Sequence, residues 1–383
     1  MIEKPKNKPQ CLNFSSGPCT KRPGWSVDVL KDALLGRSHR STEGKNKLKK
    51  AIDDTKRLLC IPENYEVGIV PASDTGAIEM AMWNLLGSRP VEVLSWEVFG
   101  KDWKKDIEEQ LKIPKSNYHD VNFGFLPDLS KVDFNNDIIF TWNGTTSGVR
   151  VPNANWIPDN RKGLTLCDAT SAVFAQELDW NKLDATSFSW QKVLGGEAAH
   201  GVLVLSPKAI KHLETYTPQW PIPKIFRLTK NKKLIEGLFR GETLNTPSML
   251  CVEDYLDVLS WVDNLGGYKN TIKRAQNNFE VIYDWVKENS WIDFLCEDEG
   301  NLSNTSVCLK FSEVLARKSE DEQRNFAKSI GKILEEEAVA FDIVNHRNAP
   351  PGLRIWSGAT VEKEDIITLL PWIEWAYLNL IDN

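Results

Sequence analysis

An α/β fold, with a large domain on a mostly parallel central sheet and a smaller α+β domain at the C-terminal end, is what this sequence predicts, on three observations. Short apolar runs alternate with stretches of helical periodicity over residues 67–205, the pattern of strands joined by crossover helices. After about residue 247 the texture changes to long helical patterns with few strand-like runs. The chain has 383 residues, 41% apolar and 26% charged, and a single core stops growing near ~250–300 residues. Two domains are therefore expected: 1–247, an N-terminal arm with the large domain, and 248–383, the smaller one.

The elements follow in order. Over 48–59, Leu48, Ile52 and Leu59 recur at helical spacing while charged residues fill the other face, which predicts an amphipathic helix. Strand-like apolar runs come at 67–70, 91–94, 138–142, 164–167, 188–190 and 201–205, with helical stretches at 77–86 and 102–111. Ligands of such sheets sit beyond the carboxyl ends of the strands, so the residues just after these runs are the candidates for chemistry. In the second part, helical patterns at 249–262, 268–288, 320–337 and 361–380 flank a strand-like run at 306–311. Pro350-Pro351-Gly352 is a turn ahead of the apolar Leu353-Arg354-Ile355. No internal repeat or low-complexity tract interrupts the chain.

Charge and cysteine usage exclude several classes of partner. A net charge of −6 and a pI near 5.6 argue against nucleic acid and against an anionic membrane surface. The one dense basic run, 224–233, is broken by Ile225, Phe226 and Leu228 and reads as a solvated connection. Seven scattered cysteines form no Cys-x-x-Cys pair, as expected of a reducing cytoplasm. The charged start Met1-Ile2-Glu3-Lys4 lacks an apolar signal core, and no run approaches the ~18 apolar residues a membrane helix needs. Fifteen tryptophans point to packing in cores and interfaces.

The chemistry-bearing residues stand at the strand ends. Lys192 ends the run Ser187-Phe188-Ser189-Trp190-Gln191-Lys192 and precedes Gly195-Gly196, while Asp168 follows the run at 164–167. A lysine and an aspartate at successive strand ends suggest a pyridoxal phosphate site. That cofactor needs an amine to hold its aldehyde as a Schiff base and a carboxylate to keep its pyridine nitrogen protonated. Ser73-Asp74-Thr75-Gly76 follows one strand and opens a helix, so it is either a phosphate cradle on the positive end of the dipole or an ordinary N-cap. Asn143-Gly144-Thr145-Thr146 is a ring-oxygen site or a plain glycine turn. Asp168 is a buried carboxylate needing a partner or the N-cap of Asp168-Ala169-Thr170-Ser171. Arg40, in Ser38-His39-Arg40, and Arg354 offer guanidinium groups for carboxylate or phosphate, although Arg40 reads equally as a plain surface charge. His346-Arg347 adds to a cationic cluster near Arg354. The five histidines show no metal-ligand spacing and there is no Gly-x-Ser-x-Gly elbow, so no metal site is expected and a hydrolase has little support.

Taken in order, Asn13-Phe14-Ser15-Ser16-Gly17-Pro18, Ser38-His39-Arg40, Ser73-Asp74-Thr75-Gly76, Asp168, Gln191-Lys192 and Leu244-Asn245-Thr246-Pro247 resemble the phosphoserine aminotransferases, class V members of the fold-type I pyridoxal phosphate enzymes. The resemblance covers nearly the whole chain. It implies Lys192 as the Schiff-base lysine, Asp168 as the partner of the pyridine nitrogen, and Asp74 and Thr75 at the cofactor phosphate. Thr145 and Gln191 would contact the ring oxygen and phosphate, Phe99 would stack on the ring with Trp103 as the alternative, and Asn245 and Thr246 would reach the phosphate from the other subunit of a homodimer. His39, Arg40 and Arg354 would bind the phosphate and carboxylate of the substrates, glutamate with 2-oxoglutarate and phosphoserine with 3-phosphohydroxypyruvate. Two features depart from the family: Ser-Asp-Thr-Gly replaces a glycine-rich loop with an arginine, and Gly195-Gly196-Glu197 follows the lysine. An insertion at 220–233 accompanies them. The alternatives are a serine or alanine–glyoxylate aminotransferase of the same class, or a non-catalytic protein of this fold; use of 4-phosphohydroxythreonine, from vitamin B6 synthesis, stays open.

Overall fold

In the computed structural model residues 3–381 are described; Met1 and Ile2 of the charged start, and Asp382 and Asn383 of the second expected domain, lie outside them. Seven strands form the large sheet: β1 (Glu66–Pro71), β2 (Val91–Ser95), β3 (Asn117–Asp120), β4 (Asp137–Thr141), β5 (Thr165–Asp168), β6 (Ala185–Ser189) and β7 (His200–Leu205). Their order is β1-β7-β6-β5-β4-β2-β3. The strands from β2 to β6 run parallel, while β7 is antiparallel to both β6 and β1, so the sheet is mostly parallel. β2, β4, β5, β6 and β7 are buried at every position, which is why they read as continuous apolar runs rather than alternating ones.

Helices α1 (Thr42–Leu58), α2 (Ser73–Leu85), α3 (Val98–Lys105) and α4 (Pro207–Thr215) belong to this part, and α3 runs on through a π-helical segment at Asp106–Leu111. The helix expected at 77–86 starts four residues earlier. Ala72 and Ser73 take left-handed backbone angles, φ 65° and 53°, and this sharp corner lets Ser73-Asp74-Thr75-Gly76 form the first turn directly off β1. The strand expected at 188–190 is β6, which begins earlier and stops before Trp190. β3 has no counterpart in the sequence reading because it is a polar edge strand, Asn-Tyr-His-Asp, exposed at most positions. A short hairpin, β8 (Thr229–Lys230) with β9 (Lys233–Leu234), occupies the end of the basic run. The insertion that carries it is tied to α2: Trp220 Nε1–H donates to Trp83 O at 2.9 Å and Asn84 Nδ2–H to Phe226 O at 2.7 Å.

The C-terminal part holds a second, antiparallel sheet of β10 (Ile292–Phe294), β11 (Ser306–Phe311) and β12 (Leu353–Trp356), in that order. Around it lie α5 (Met249–Asn264), α6 (Tyr268–Glu288), α7 (Glu313–Ala316), α8 (Glu320–Glu336) and α9 (Lys363–Ile381). α6 and α8 pack on α9, and Trp291 stacks on Tyr377 with ring centroids 3.9 Å apart. α5 packs instead against α1, where Thr55 and Tyr255 share a buried hydroxyl contact of 2.8 Å. The N-terminal arm crosses to the C-terminal part: Asn13 pairs with Phe341, Trp356 N–H on β12 donates to Phe14 O at 3.3 Å, and Trp372 Nε1–H on α9 donates to Asn7 O at 2.7 Å. Among the described residues no helix is long and apolar enough to cross a membrane.

Candidate active site

A cleft of about 230 Å³ opens where β4, β5 and β6 end, between the first turn of α2 and the Gly17-Pro18 segment of the arm. Asp168 is the last residue of β5, with Thr141 beside it on β4 and Ser187 beside it on β6. Lys192 follows in the turn after β6. The strand-end placement expected from the sequence thus brings the amine and the carboxylate into one cavity.

Lys192 is buried, and its Nζ donates to Ser16 O at 2.5 Å. Burial holds the ammonium below its usual pKa and the charge of Arg354 pushes the same way, against the opposing influence of Cys19, Asp168 and Glu97. A depressed lysine is the form that can attack a carbonyl. The arm closes tightly over it: a Cβ on Gly17 would stand 2.8 Å from Nζ, and Gly17 has φ +150°.

Asp168 accepts two donors, Thr170 N–H on Oδ1 at 3.0 Å and Trp103 Nε1–H on Oδ2 at 3.3 Å. Trp103 is therefore spent as a buried hydrogen-bond donor to Asp168, whereas Phe99 stands half-buried in the cleft wall, its ring 6.3 Å from that of His346. Thr75 is exposed on the first turn of α2 and Asp74 is buried there. Backbone N–H groups of a first helical turn have no partner within the helix, and they face this cleft with the positive end of the dipole. Gly76 and Gly201 permit the turn: a Cβ on Gly76 would lie 2.2 Å from Pro71 O, and one on Gly201 2.2 Å from Ser73 O.

Around Asp168 several buried polar atoms lack any hydrogen-bond partner among the described residues: Thr141 Oγ1, Thr170 Oγ1, Ser187 Oγ, Gln191 Oε1 and Asp74 Oδ1. Buried orphans are rare, and this many on one cavity mark a surface shaped for a polar guest. Thr145 Oγ1–H donates to Ser171 Oγ at 3.0 Å, which leaves its oxygen able to accept. An amine, a carboxylate opposite it, hydroxyls between and a helix N-terminus at one end fit pyridoxal phosphate at its aldehyde, ring nitrogen, ring oxygen and phosphate.

Arg354 on β12 acts on the cleft by its charge without lining it. Its charge reaches Lys192 and Cys19, and its buried Nε has no hydrogen-bond partner among the described residues. His346 lies near enough for Arg354 to help hold its imidazole below the usual pKa, after burial. Besides Arg354, four expected residues do not line the cleft of their own protomer. His39 is buried, with its backbone against Gly44, Arg40 is exposed, and Asn245 and Thr246 form a surface loop in which Asn245 Nδ2–H donates to Thr246 O at 3.3 Å.

Glu97 was not singled out in the sequence. It is fully buried, accepts Gly100 N–H at 2.7 Å and Thr146 Oγ1–H at 2.8 Å, and caps α3. Burial pushes its carboxyl up to about 7 despite those donors. The available signal was an acidic residue just after the apolar run at 91–94, the same strand-end position that marked Asp168.

A mostly parallel sheet with one reversed strand, and a buried lysine and aspartate at its strand ends, define a pyridoxal-phosphate-dependent aminotransferase of fold type I. No family model matches the chain. A phosphoserine aminotransferase of Methanosarcina barkeri is 56% identical over 378 residues, 99% of this chain and 100% of that relative. One of Methanosarcina mazei is 55% identical over 374 residues, 98% and 99% respectively. The solved structure of a phosphoserine aminotransferase from Cytophaga hutchinsonii shares the fold at a TM-score of 0.81 and 21% identity, over 95% of this chain and 98% of that one. The chain belongs to the phosphoserine aminotransferase family.

Proposed function

We propose that this protein moves an amino group reversibly between glutamate and 3-phosphohydroxypyruvate, giving 2-oxoglutarate and O-phosphoserine. The observation that carries the reading is the burial of Lys192 and Asp168 in one cleft at the strand ends, in a chain 56% identical to a curated phosphoserine aminotransferase. Pyridoxal phosphate, when bound, supplies an electron sink for the α-carbon of the amino acid. Lys192 would hold it through its amine and, when free, would carry the α-proton as general base, a task suited to an amine whose pKa is lowered. Asp168 would keep a proton on the ring nitrogen. The phosphate contact belongs to the backbone N–H groups of Asp74 and Thr75, because a carboxylate would repel it, with Gln191 beside them. Thr145 and Phe99 line the same cleft, where Thr145 would receive the ring oxygen and Phe99 would pack on the ring.

Arg354 pairs with the substrate carboxylate. His39 and Arg40 serve the substrate phosphate, and Asn245 and Thr246 the cofactor phosphate, in the cleft of a second copy, which makes the working unit a homodimer. We also place the division between the two domains after residue 247 and the protein in the cytoplasm; the seven free cysteines support a reducing compartment. Transamination of 4-phosphohydroxythreonine, the step of pyridoxine synthesis, is a further activity to assay.

The test is an absorbance spectrum of the protein with pyridoxal phosphate, followed by O-phosphoserine or serine. Loss of the visible band at low phosphoserine but not with serine supports the proposal. An equal response to both moves the assignment to a serine or alanine–glyoxylate enzyme. Lys192→Ala is expected to abolish both the band and turnover; steady transamination by that variant would overturn the role of the lysine.

A further inference from the structure

Asp74 carries a side chain at odds with the seat its backbone forms. The first turn of α2 suits a phosphate, and an ionised carboxylate in that turn would repel one. The side chain is buried, and it lies against Asp168, Thr170 and Ser187 on the floor of the cleft. Ser187 is the direct neighbour of Asp168 across β5 and β6, so two carboxyl groups share one water-poor space. Two such groups cannot both ionise cheaply. Burial and hydrogen bonding favour the proton on Asp74: Asp168 has donors on both oxygens, from Thr170 N–H and Trp103 Nε1–H, while among the described residues Asp74 Oδ1 has no partner at hydrogen-bond geometry, and the nearby Thr170 and Ser187 hydroxyls oppose burial and the charge of Asp168 without overcoming them.

We propose that Asp74 is a positioning residue that acts through Asp168: a neutral carboxyl that donates its proton to the Asp168 carboxylate, fixes the face Asp168 turns to the ring nitrogen, and keeps the phosphate seat free of negative charge. The inference rests on the pyridoxal phosphate reading above. Burial and the charge of Asp168 hold the Asp74 carboxyl well above the usual carboxylate range, in the same direction. When Asp74 does ionise, a second negative charge appears between Asp168 and the phosphate, and the cofactor is held less tightly.

The groups that face Asp74 are few. β5 offers Asp168 and Cys167, whose thiol burial drives well above its ordinary pKa. β6 offers hydroxyls only. On β7, burial holds His200 down to about 4, so it is neutral throughout. β1 has Glu66 at its far end, and on α4 His212 binds Leu85 O at the opposite end of α2. Across the cleft, Glu97 titrates near 7 and Lys192 is depressed, so Glu97→Gln serves as the background that removes the nearest confounding acid.

The experiment titrates pyridoxal phosphate into the full-length apoprotein from mildly acidic to alkaline pH, reading binding by visible absorbance and by quenching of tryptophan fluorescence. Affinity of the wild type and of Glu97→Gln should fall toward alkaline pH. Asp74→Asn keeps a neutral donor, so its neutral-pH affinity should stay near that of the wild type while the alkaline fall disappears. Asp74→Ala removes the donor and should bind roughly tenfold more weakly at neutral pH, the cost of one hydrogen bond to a charged group. An alkaline fall retained in Asp74→Asn, or wild-type affinity in Asp74→Ala, would overturn the proposal. If Asp74→Ala does not fold, melting of the Asp74→Asn and wild-type apoproteins decides: a gap that widens with pH supports it and parallel curves overturn it. A wild type that takes up no cofactor through Lys192 overturns the functional reading and this inference with it.

Discussion

Glu97 shows how a single buried side chain ties stability to pH. Its carboxyl titrates at about 7 in the folded protein against an ordinary 4.5. Between those values the folded state holds a proton that the unfolded state has released, so stability falls as pH rises through that window and is greatest below it. The span corresponds to roughly 3 kcal/mol. Glu97→Gln is neutral at every pH, so its stability relative to the wild type should climb by up to about that amount between mildly acidic and mildly alkaline conditions. Denaturant unfolding of the two apoproteins at either end measures it, and a constant difference would contradict the buried-proton account. Trp103 acts on Asp168 by a simpler route. Trp103→Phe removes the Nε1–H that reaches Oδ2 at 3.3 Å while keeping most of the packing, and pyridoxal phosphate affinity should drop about tenfold, as for other hydrogen bonds to charge. Unchanged affinity would mean that the contact is incidental. Both residues illustrate what residue types alone conceal: Lys192 and Asp168 were legible because a buried amine and carboxylate at strand ends have little else to do. Glu97 stood near a strand end as they did, but its burial and the donor role of Trp103 appear only once α3 is folded over β2.

At the scale of elements, the join between α2 and β7 sets the geometry of the phosphate seat. Gly201 has no Cβ, and one placed there would meet Ser73 O at 2.2 Å and Ala77 Cβ at 2.8 Å. Gly201→Ala should therefore lift the first turn of α2 from the sheet and cost about 1–3 kcal/mol, as overpacking in a dense core does. Cofactor affinity should fall with it, because Asp74 and Thr75 ride on that turn. Unfolding and cofactor titration of the variant are the check; full stability would show that the turn can yield. The elements that the sequence revealed are those with a strong period. The buried strands announced themselves as apolar runs, and α6 matches its helical pattern at both ends. β3 was silent because an edge strand has no buried face to mark, and three-residue β10 is too short for any period to register. α4 shows only two buried residues, Ala209 and Leu213, too narrow a stripe to stand out. The true start of α2 was hidden by the left-handed corner at Ala72 and Ser73, which residue type does not disclose.

The whole molecule poses a different problem, because one protomer does not gather all of the residues that the family resemblance assigns to the substrate. Lys192 and Asp168 line one cleft and Arg354 acts on it by its charge, while Arg40 is exposed and neither it nor His39 lines that cleft. Arg40 serves either its own cleft or that of a second copy of the chain. Two inactive variants separate these cases. Lys192→Ala lacks the anchor but retains Arg40; Arg40→Ala lacks the phosphate contact but retains Lys192. In a two-fold dimer with exchanged loops, a hybrid of the two has one cleft with both defects and one with neither. Random assortment makes half of the dimers hybrids, each with one intact site of two, so refolding an equal mixture should restore roughly a quarter of wild-type phosphoserine turnover. If Arg40 served its own cleft, every site in every hybrid would carry one lesion and the mixture would be no more active than its parts. Lys192→Ala mixed with the Trp103→Phe protein supplies the control, since Trp103 lies in the same cleft as Lys192 and its defect cannot be complemented from the other subunit.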